Sequence, residues 1–387
     1  MTNSPLQLDA SLPPLSLYVH IPWCVRKCPY CDFNSHTAGP DIPEQAYIQR
    51  LIADLQQDQP WAQGRKLTSI FFGGGTPSLF SAAGIAQIVS AAEKIIGFNE
   101  DIEITLEANP GTFEQEKFSG FRSAGINRLS IGIQSFNDDH LAKLGRIHSG
   151  SQALSAISTA QTAGFENFNL DLMHGLSGQS LDEARTDIQR AIDLGANHIS
   201  WYQLTIEPNT EFYSRPPVLP EDDILADIQQ MGMALLDQHG YAQYEVSAFA
   251  KPGQRSLHNI NYWQFGDYLG IGAGAHGKIT QPQQRQIIRS NKTRQPDNYL
   301  SRDIQTLAQQ KPIASEELAM EFMMNGLRLR EGVPTNYFTE RTGLPCSSIE
   351  QQVQKLQSQG LLEMDSQQFR ATPLGYQFLN SLLQGFS

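Results

Sequence analysis

The stretch CVRKCPYCDF, residues 24–33, holds three of the four cysteines of this chain. Cys24, Cys28 and Cys31 are four and three residues apart, and they come shortly after LSLYVHI, a β-rich run over residues 15–21. Thiols gathered at such spacings are typical of intracellular metal binding rather than of a disulfide framework. Three ligands leave one coordination position open, as a catalytic centre requires. The stretch therefore predicts an open metal centre at the end of a first strand.

Two kinds of centre fit these cysteines. A [4Fe–4S] cluster normally uses four thiolates, so a cluster held by three would keep one iron open. A zinc site would need a fourth ligand at compact spacing, and His36, five residues after Cys31, could supply it. The spacing alone leaves both alternatives open. Cys346 stands apart in the tail, and we expect it to be an inert packing or surface thiol.

Strand-like and helix-like segments alternate through the first two thirds of the chain. The strand-like segments cover residues 15–21, 67–74, 101–109, 126–135, 165–175 and 196–205. The helix-like segments between them cover residues 46–57, 83–96, 113–125, 151–164 and 181–195. This alternation predicts parallel βα units, and six strands in a row predict an α/β fold, a partial (β/α)6 barrel of the TIM type. Function in such folds lies at the carboxyl ends of the strands.

The carboxyl ends of these strands are rich in polar residues and glycine. They carry residues 20–31, 73–77 and 107–110, Gln134, and residues 171–175. One such turn would be an ordinary βα connection, but five in a row favour a site. The run Gly73-Gly74-Gly75-Thr76-Pro77 lets a ligand approach the backbone closely, and it is not a P-loop because no GK[ST] follows.

The last part of the chain has a different character. Helical segments at 315–332, 335–343 and 347–360 precede a short β-rich segment, which predicts a helical, winged-helix-like domain. We expect residues 1–290 to form the barrel core and residues 291–387 to form this second domain. Residues 291–387 hold nine Lys and Arg against ten Asp and Glu, which favours a structural lid over DNA binding.

Bulk properties exclude several classes of function. A net charge of −12 over 387 residues argues against a general binder of nucleic acid or anionic membranes. The sequence has no apolar run approaching the ~20 residues that span a bilayer. Its first residues, MTNSPLQLDASLPPL, show no secretory signal, so we expect a cytoplasmic protein.

The cysteine motif CxxxCxxC resembles the signature of the radical S-adenosylmethionine superfamily. The segments LYVHIPWCVRKCPYCDF, FFGGGTP, LEANP, RLSIGIQSF and DLMHGLSGQ together resemble one branch of it. That branch contains oxygen-independent coproporphyrinogen III dehydrogenases and heme chaperones. The resemblance covers nearly the whole chain, including the tail. It implies a [4Fe–4S] cluster on the three cysteines and S-adenosylmethionine on the open iron.

The resemblance also assigns candidate binding residues. Tyr18, Gly74 and Glu107 match residues that hold the cluster-bound S-adenosylmethionine. A second set matches residues placed around a second S-adenosylmethionine in the dehydrogenases. That set is Tyr30, Gly75, Thr76, Gln134, Arg146 and Asp171. The chemistry is consistent, because carboxylates accept from hydroxyls or amines and a guanidinium pairs with a carboxylate.

Two departures separate the chain from the dehydrogenases. Their motif continues to CxxxCxxCxC, whereas position 33 here is Phe33. They also carry a longer N-terminal arm, whereas about fifteen residues precede the first strand here. Both departures favour a heme chaperone, with oxidative decarboxylation of coproporphyrinogen III as the alternative. The chaperone would bind heme and pass it to an acceptor hemoprotein, for example a respiratory, membrane-associated one.

The segment HNINYW, residues 258–263, resembles the heme-binding motif HNxxYW of the chaperones. A histidine imidazole can ligate heme iron, and Tyr and Trp offer flat faces to a macrocycle. His258 is therefore the predicted ligand, with His20 and His276 as further histidines that could line the site. The segment LGIGAGAHG, residues 269–277, contains GxGxxG, but we expect a loop closing one edge of the site rather than a dinucleotide site, because no helix opens there.

Overall fold

The computed structural model describes residues 6, 8, 11–111 and 117–386. Six parallel strands form the centre of one large sheet, as predicted. They are β1 (Leu15–Ile21), β4 (Leu67–Gly74), β5 (Phe98–Ala108), β6 (Arg128–Gln134), β7 (Phe168–His174) and β8 (His198–Gln203), and they lie side by side in that order. Two short strands, β2 (Trp23–Cys24) and β3 (His36–Thr37), pair with each other across the cysteine loop. The α/β barrel fold is confirmed.

Helices connect the central strands and cover the sheet. Those within the described part of the barrel are Glu44–Asp58, Ala82–Ile95, Phe118–Ser123, Asp138–Lys143, Gly150–Thr162 and Leu181–Asp193. The predicted helix over 113–125 begins at residues outside the described ones, and its described part is helical from Phe118. Leu15, Leu17, Val19 and Ile21 alternate along β1, so they share one face, and each has 0% exposure. Ser16 and His20 on the other face are 0% and 5% exposed, so both faces of this strand are covered.

The sheet extends on both sides of the six central strands. β11 (Asp267–Ile271) lies parallel to β1, and β12 (His276–Gln281), β13 (Gln286–Lys292) and β14 (Ala308–Pro312) continue antiparallel from it. β10 (Ala248–Ala250) and β9 (Ala242–Glu245) continue from β8. Within the described residues β14 and β9 are the end strands of one twelve-stranded order, so the barrel is open.

The extra strands and the second domain are joined by further helices. These are Glu211–Ser214, Asp222–Gln238, Leu257–Trp263, Pro296–Ser301, Ser315–Gly326, Thr335–Thr342, Glu350–Ser358, Pro373–Gln377 and Leu379–Gln384. Short 3₁₀ segments lie at Gln59–Ala62, Pro77–Leu79, Pro282–Gln284, Ile304–Thr306 and Cys346–Ile349. No helix among the described residues combines the length and apolar character needed to cross a membrane.

The C-terminal part is helical with a small wing, as predicted. β15 (Val333–Pro334) pairs antiparallel with β16 (Gln368–Phe369), and the flanking helices bury an apolar cluster that includes Phe322, Phe338 and Phe369 and continues into Tyr244 of β9 and Phe265. The division at residue 290 stays a prediction, and β13 runs across that position.

Candidate functional site

The carboxyl ends of the central strands surround a cavity of about 150 Å³, here called the cysteine cavity. Its walls come from the cysteine loop and from the ends of β4 to β8. The residues that line it are Cys24, Arg26, Cys28, Tyr30, Cys31, Phe33, Gly74, Gly75, Thr76, Pro77, Glu107, Ala108, Asn109, Ser130, Gly132, Gln134, Arg146, Asp171 and Tyr202. All nine residues that the resemblance assigns to S-adenosylmethionine, except Tyr18, are among them.

The three cysteines of the loop are free thiols at the rim of this cavity. The backbone N–H of Cys31 donates to the carbonyl of Cys28 at 3.1 Å, which tightens the loop into a turn. The Nη1–H of Arg146 donates to Cys28 Sγ at 3.6 Å, and Ser35 Oγ lies 3.7 Å from Cys31 Sγ. Burial raises the pKa of the thiols of Cys24 and Cys31. A bound metal would reverse that effect, because ligating thiols are deprotonated.

The donor set fits a cluster better than a single zinc ion. In the described part of the chain, no three His, Cys, Asp or Glu side chains converge closely enough to hold one metal ion. The three thiols instead stand around one cavity, as the ligands of a group with several iron atoms must. His36 lies on β3 beside β2, and it is not a lining residue of the cysteine cavity.

The glycine run after β4 packs tightly against the cysteine loop. Gly74 has a φ of 116°, and a Cβ there would lie 2.5 Å from the His20 ring. A Cβ on Gly75 would lie 2.5 Å from the carbonyl oxygen of Trp23. The N–H of Gly75 donates to Ile21 at 2.8 Å, and the N–H of Thr76 donates to Trp23 at 2.7 Å. Because neither glycine has a side chain, the turn after β4 can pack against the backbone that follows β1. A larger residue at either position would prevent this contact.

Two carboxyl groups face the cysteine cavity from β5 and β7. Burial, and then the nearby Asp171, raise the pKa of Glu107 to about 8, although the N–H of Gly74 donates to it at 3.2 Å. Burial also raises the pKa of Asp171, against hydrogen bonds from Asn169 at 2.7 Å and Ser130 at 3.2 Å. Glu107 is therefore largely protonated at neutral pH without a ligand. A cationic ligand would favour its charged form.

Arg146 is held in place by neighbours that the sequence did not indicate. Its Nη2–H donates to Asn109 Oδ1 at 2.6 Å and to the carbonyl of Gly132 at 2.9 Å. Asn109 in turn donates to Thr76 Oγ1 at 3.0 Å. The guanidinium is thus fixed in one orientation beside the cysteines. The position of Asn109 at the end of β5, within LEANP, was the available signal.

Gln134 closes the far side of the cysteine cavity in a strained conformation. Its φ is 68°, in the left-handed region that a residue with a Cβ rarely adopts. Tyr202 Oη donates to its Oε1 at 2.7 Å. Such strain costs roughly 1–3 kcal/mol and is concentrated at functional sites. Tyr202, at the end of β8, is a second lining residue that the sequence did not indicate.

A second cavity of about 620 Å³, here called the aromatic cavity, adjoins the first. The two share Phe33, Gly74 and Glu107. The other residues that line the aromatic cavity are Tyr18, His20, Asp32, Asn34, Tyr262, Trp263, Phe265, Tyr268, Gly274, His276, Lys278, Arg289, Arg294, Met324 and Asn325. Tyr18, His20 and His276 line this one cavity, and Gly274 of the glycine-rich loop lines it as well.

His20 lines the aromatic cavity in a defined tautomer. Its Nε2 lies 2.9 Å from the carbonyl oxygen of Asn34 and must donate to it. Its Nδ1 therefore accepts from Tyr18 Oη at 3.0 Å. The side chain of Asn34 donates to the carbonyls of Ala273 and Arg294, each at 2.9 Å. The end of the cysteine loop is thereby fastened to the glycine-rich loop.

His258 is not among the residues that line the aromatic cavity. It is 1% exposed, and its Nδ1 lies 2.9 Å from Ser69 Oγ. Its ring stacks on Phe71 with centroids 5.1 Å apart, and Tyr262 packs edge-on at 4.7 Å. Burial lowers its pKa to about 3. Its role as a heme ligand stays a prediction, and it would require the ring to leave this position.

Comparison with known proteins places the chain in a class. A family model for the radical SAM superfamily matches residues 18–191, and one for the HemN C-terminal domain matches residues 313–378. The fold is similar to the solved structure of coproporphyrinogen III oxidase (HemN) from Escherichia coli. That alignment has a TM-score of 0.81 and 22% identity, and it covers 97% of this chain and 90% of that chain. The fold and the family match define a radical SAM protein.

Individual relatives narrow the class further. The chain is 54% identical over 379 residues to heme chaperone HemW of Haemophilus influenzae, covering 97% of this chain and 98% of the relative. It is 50% identical over 375 residues to heme chaperone HemW of Escherichia coli, with the same coverage. The chain is 33% identical over 381 residues to heme chaperone HemW of Lactococcus lactis, and the alignment covers 96% of this chain and 97% of the relative. The chain belongs to the HemW family.

Proposed function

We propose that this protein is a heme chaperone, which binds heme and passes it to an acceptor hemoprotein. It carries a [4Fe–4S] cluster on Cys24, Cys28 and Cys31, with exchangeable S-adenosylmethionine on the open iron. We place this activity in the cytoplasm, where clustered thiols stay reduced. The names of the HemW relatives support the proposal, and the two adjoining cavities support it from the side of the structure.

The cysteine cavity supports the cluster part of the proposal. When bound, the cluster supplies an electron route to S-adenosylmethionine at its open iron. The protein's own part is to fix the surroundings: Arg146 directs a cation at Cys28, and the Gly74–Gly75 turn closes on the cysteine loop. Glu107 offers a carboxyl that a cationic ligand would convert to a carboxylate. Tyr18 donates to His20 in the wall of the aromatic cavity.

The aromatic cavity is the single observation that carries the heme part. It measures about 620 Å³, within the roughly 300–1,000 Å³ of small-molecule and cofactor sites. Tyr262 and Trp263, the last two residues of the HNxxYW segment, form part of its wall. Flat aromatic faces beside cationic side chains suit a macrocycle that carries carboxylates.

The alternative, oxidative decarboxylation of coproporphyrinogen III, remains an outcome of the test. Phe33 stands where the dehydrogenases have a further cysteine, and 61% of it is exposed at the boundary of both cavities. A phenyl ring offers neither a thiolate nor a transferable proton. The chaperone proposal therefore accounts for Phe33 without assigning chemistry to it.

Titration of the anaerobically reconstituted protein with hemin tests the proposal. We expect the protein to bind one heme per chain. We also expect it to transfer this heme to an added apo-hemoprotein faster than an unspecific heme carrier such as albumin does. A parallel incubation with coproporphyrinogen III, a reductant and S-adenosylmethionine should leave the porphyrinogen unchanged. Absence of stoichiometric heme binding would refute the chaperone proposal. Formation of protoporphyrinogen would support the enzyme instead.

A further inference from the structure

One face of the central strands is polar, although the interior of such a barrel is usually filled by branched apolar side chains. Residues two apart on a strand share a face, and this face carries hydroxyl, amide, imidazole and charged groups. Ser69, Glu103, Arg128, Asn169 and His198 belong to it, and each is at most 6% exposed. A buried polar group is costly unless it is hydrogen-bonded. The partners of these side chains therefore show what the polar face supports.

A chain of hydrogen bonds begins at Asp171 in the wall of the cysteine cavity. Asn169 Nδ2 donates to Asp171 Oδ1 at 2.7 Å. Asn169 Oδ1 accepts from the backbone N–H of Ser200 at 2.9 Å, and it lies 2.6 Å from His198 Nδ1. His198 Nε2 lies 2.8 Å from Tyr244 Oη. Because an amide oxygen only accepts, His198 Nδ1 carries the proton and its Nε2 accepts from the hydroxyl of Tyr244. Each bond of the chain therefore has one direction.

The chain ends at the amino terminus of the helix Leu257–Trp263, here called the capping helix. The N–H of Ser256 donates to Tyr244 Oη at 3.4 Å, and Ser256 Oγ donates to Glu103 Oε1 at 3.3 Å. The N–H groups of the first two helical residues donate to the two oxygens of Glu103 at 3.0 and 3.1 Å. The first N–H groups of a helix have no partner within the helix, so an acidic side chain there stabilises it. Glu103 on β5 thus anchors the capping helix.

The two ends of this chain face different cavities. Asp171 lines the cysteine cavity, and Tyr262 and Trp263 at the far end of the capping helix line the aromatic cavity. A ligand hydroxyl or amine that donates to Asp171 competes with Asn169 for the same carboxylate. Asn169 cannot shift alone, because its other end holds His198. A change at Asp171 is therefore passed through the interior to the capping helix.

We propose that Glu103 and Tyr244 are positioning residues, which adjust the capping helix when a ligand bonds to Asp171 in the cysteine cavity. This inference rests on the proposed function, in which S-adenosylmethionine is that ligand. It adds to that function a route through the barrel interior, separate from the residues that line both cavities. The wall that Tyr262 and Trp263 give to the aromatic cavity then depends on whether the cysteine cavity is filled.

Hydrogen–deuterium exchange at residues 256–258 measures the effect directly, because the backbone N–H groups of these residues are the last donors of the chain. The anaerobically reconstituted protein is compared with and without S-adenosylmethionine, and equilibrium dialysis of the same samples measures binding. We expect the ligand to change the exchange rate of these amides by about tenfold. The amides of the helix Glu350–Ser358 in the C-terminal part should exchange alike in both samples.

A pair of buried tyrosines separates positioning from simple support. Tyr244→Phe keeps the ring but removes the hydroxyl in the middle of the chain, so it should bind S-adenosylmethionine and lose the ligand-dependent change at residues 256–258. Tyr241→Phe is the matched control and should retain that change. Tyr241 is also 1% exposed, and its hydroxyl donates to the carbonyl of Ala196, outside the chain.

Two outcomes would overturn the inference and leave the proposed function intact. One is unchanged exchange at residues 256–258 in parent protein that has bound S-adenosylmethionine, which decides the matter whether or not the variant folds. The other is Tyr244→Phe protein that exchanges faster in both states but retains the ligand-dependent difference, because a merely structural role predicts that result. Failure of the reconstituted parent protein to bind S-adenosylmethionine would instead refute the cofactor part of the proposed function, and the inference with it.

Discussion

Arg146 directs its guanidinium at Cys28, with Nη1 3.6 Å from Sγ, although 118 residues separate the two in sequence. The other end of the guanidinium is held by Asn109 and by the carbonyl of Gly132. The cation therefore cannot swing away from the cysteine loop without breaking two hydrogen bonds. A fixed positive charge beside a thiolate stabilises whatever negative charge that thiolate and its iron carry.

Replacing this cation should change the redox behaviour of the cluster. In Arg146→Gln the reduced cluster loses electrostatic stabilisation, so its midpoint potential should fall by an amount on the order of tens of millivolts. A redox titration followed by electron paramagnetic resonance measures the shift. Arg215→Gln, at an exposed residue that lines neither cavity, serves as the control. An unchanged potential in a fully loaded Arg146→Gln protein would show that the hydrogen bond is only structural.

Cys28→Ala should abolish the [4Fe–4S] cluster, because two thiolates cannot replace three around the same cavity. Iron and sulfide analysis after anaerobic reconstitution measures this. Cys346→Ala is the matched control, since Cys346 is exposed and its Sγ is close to Thr335 and Thr339 instead. A full cluster in Cys28→Ala, or cluster loss in Cys346→Ala, would contradict the ligand assignment.

Glu107 should make the binding of S-adenosylmethionine depend on pH. Its pKa of about 8 means that, below pH 8, a cationic ligand must displace a proton, so affinity falls as the pH falls. The ligand's own amino group titrates near pH 8 as well, so the prediction concerns the difference between variants. Glu107→Gln should show a shallower dependence between pH 6 and 8 than Glu100→Gln, an exposed control. Anaerobic equilibrium dialysis with labelled ligand tests this. If the affinities of the two variants depend on pH in the same way, Glu107 does not take part in binding S-adenosylmethionine.

Gly274→Ala and Gly253→Ala separate backbone strain from a steric clash. Both glycines have positive φ, 83° and 75°, so alanine costs about 1–2 kcal/mol at either position. At Gly274 the new Cβ would also lie 2.3 Å from Nδ2 of Asn34, whereas at Gly253 nothing lies within 4 Å. We expect Gly274→Ala alone to lose cluster faster on dilution, because Asn34 must release the glycine-rich loop. Cluster absorbance over time measures the loss. Equal rates would mean that this contact does not hold the cysteine loop.

Acid should destabilise the fold through its buried histidines, of which His174 gives the clearest test. Burial beside Trp201, with ring centroids 4.1 Å apart, lowers the pKa of His174 to about 4. Between pH 6.5 and 4 the unfolded chain binds a proton that the folded chain does not, so stability falls by at most about 1.4 kcal/mol per pH unit from this residue. His174→Phe should therefore lose less stability than His239→Phe on acidification, as measured by urea denaturation at pH 7 and 5. Identical losses would assign the acid sensitivity to other groups.

The central strands could be predicted because their apolar runs end in glycine or polar turns. The segment LTSIFFGG gave the bounds of β4 to the residue. The strands β12 to β14 could not be predicted in this way. The segment AQQKP in β14, for example, shows no apolar alternation, and it is a strand because it pairs with β13. Their place at the sheet edge depends on tertiary pairing, which no local pattern carries.

The site residues divide in the same way. Cys24, Cys28 and Cys31 are recognisable because they form one short motif. Asn109 and Tyr202 are single polar residues whose partners lie 37 and 68 positions away, so no local pattern marks them. The burial of His258 was equally inaccessible to the sequence, because Ser69, which lies 189 positions away, supplies its hydrogen bond. The motif gave the residue type but not the direction in which its ring points.

Phe33, Gly74 and Glu107 line both cavities, so they lie at the boundary between them. A molecule that moves Phe33 or ionises Glu107 from one side thereby alters the surface met by a molecule on the other. If binding in one cavity moves Phe33 or ionises Glu107, occupancy of the two cavities is thermodynamically linked. A ligand in the cysteine cavity would then change the affinity of the aromatic cavity for its own ligand by some factor. The ligand in the aromatic cavity must change the affinity of the cysteine cavity by the same factor.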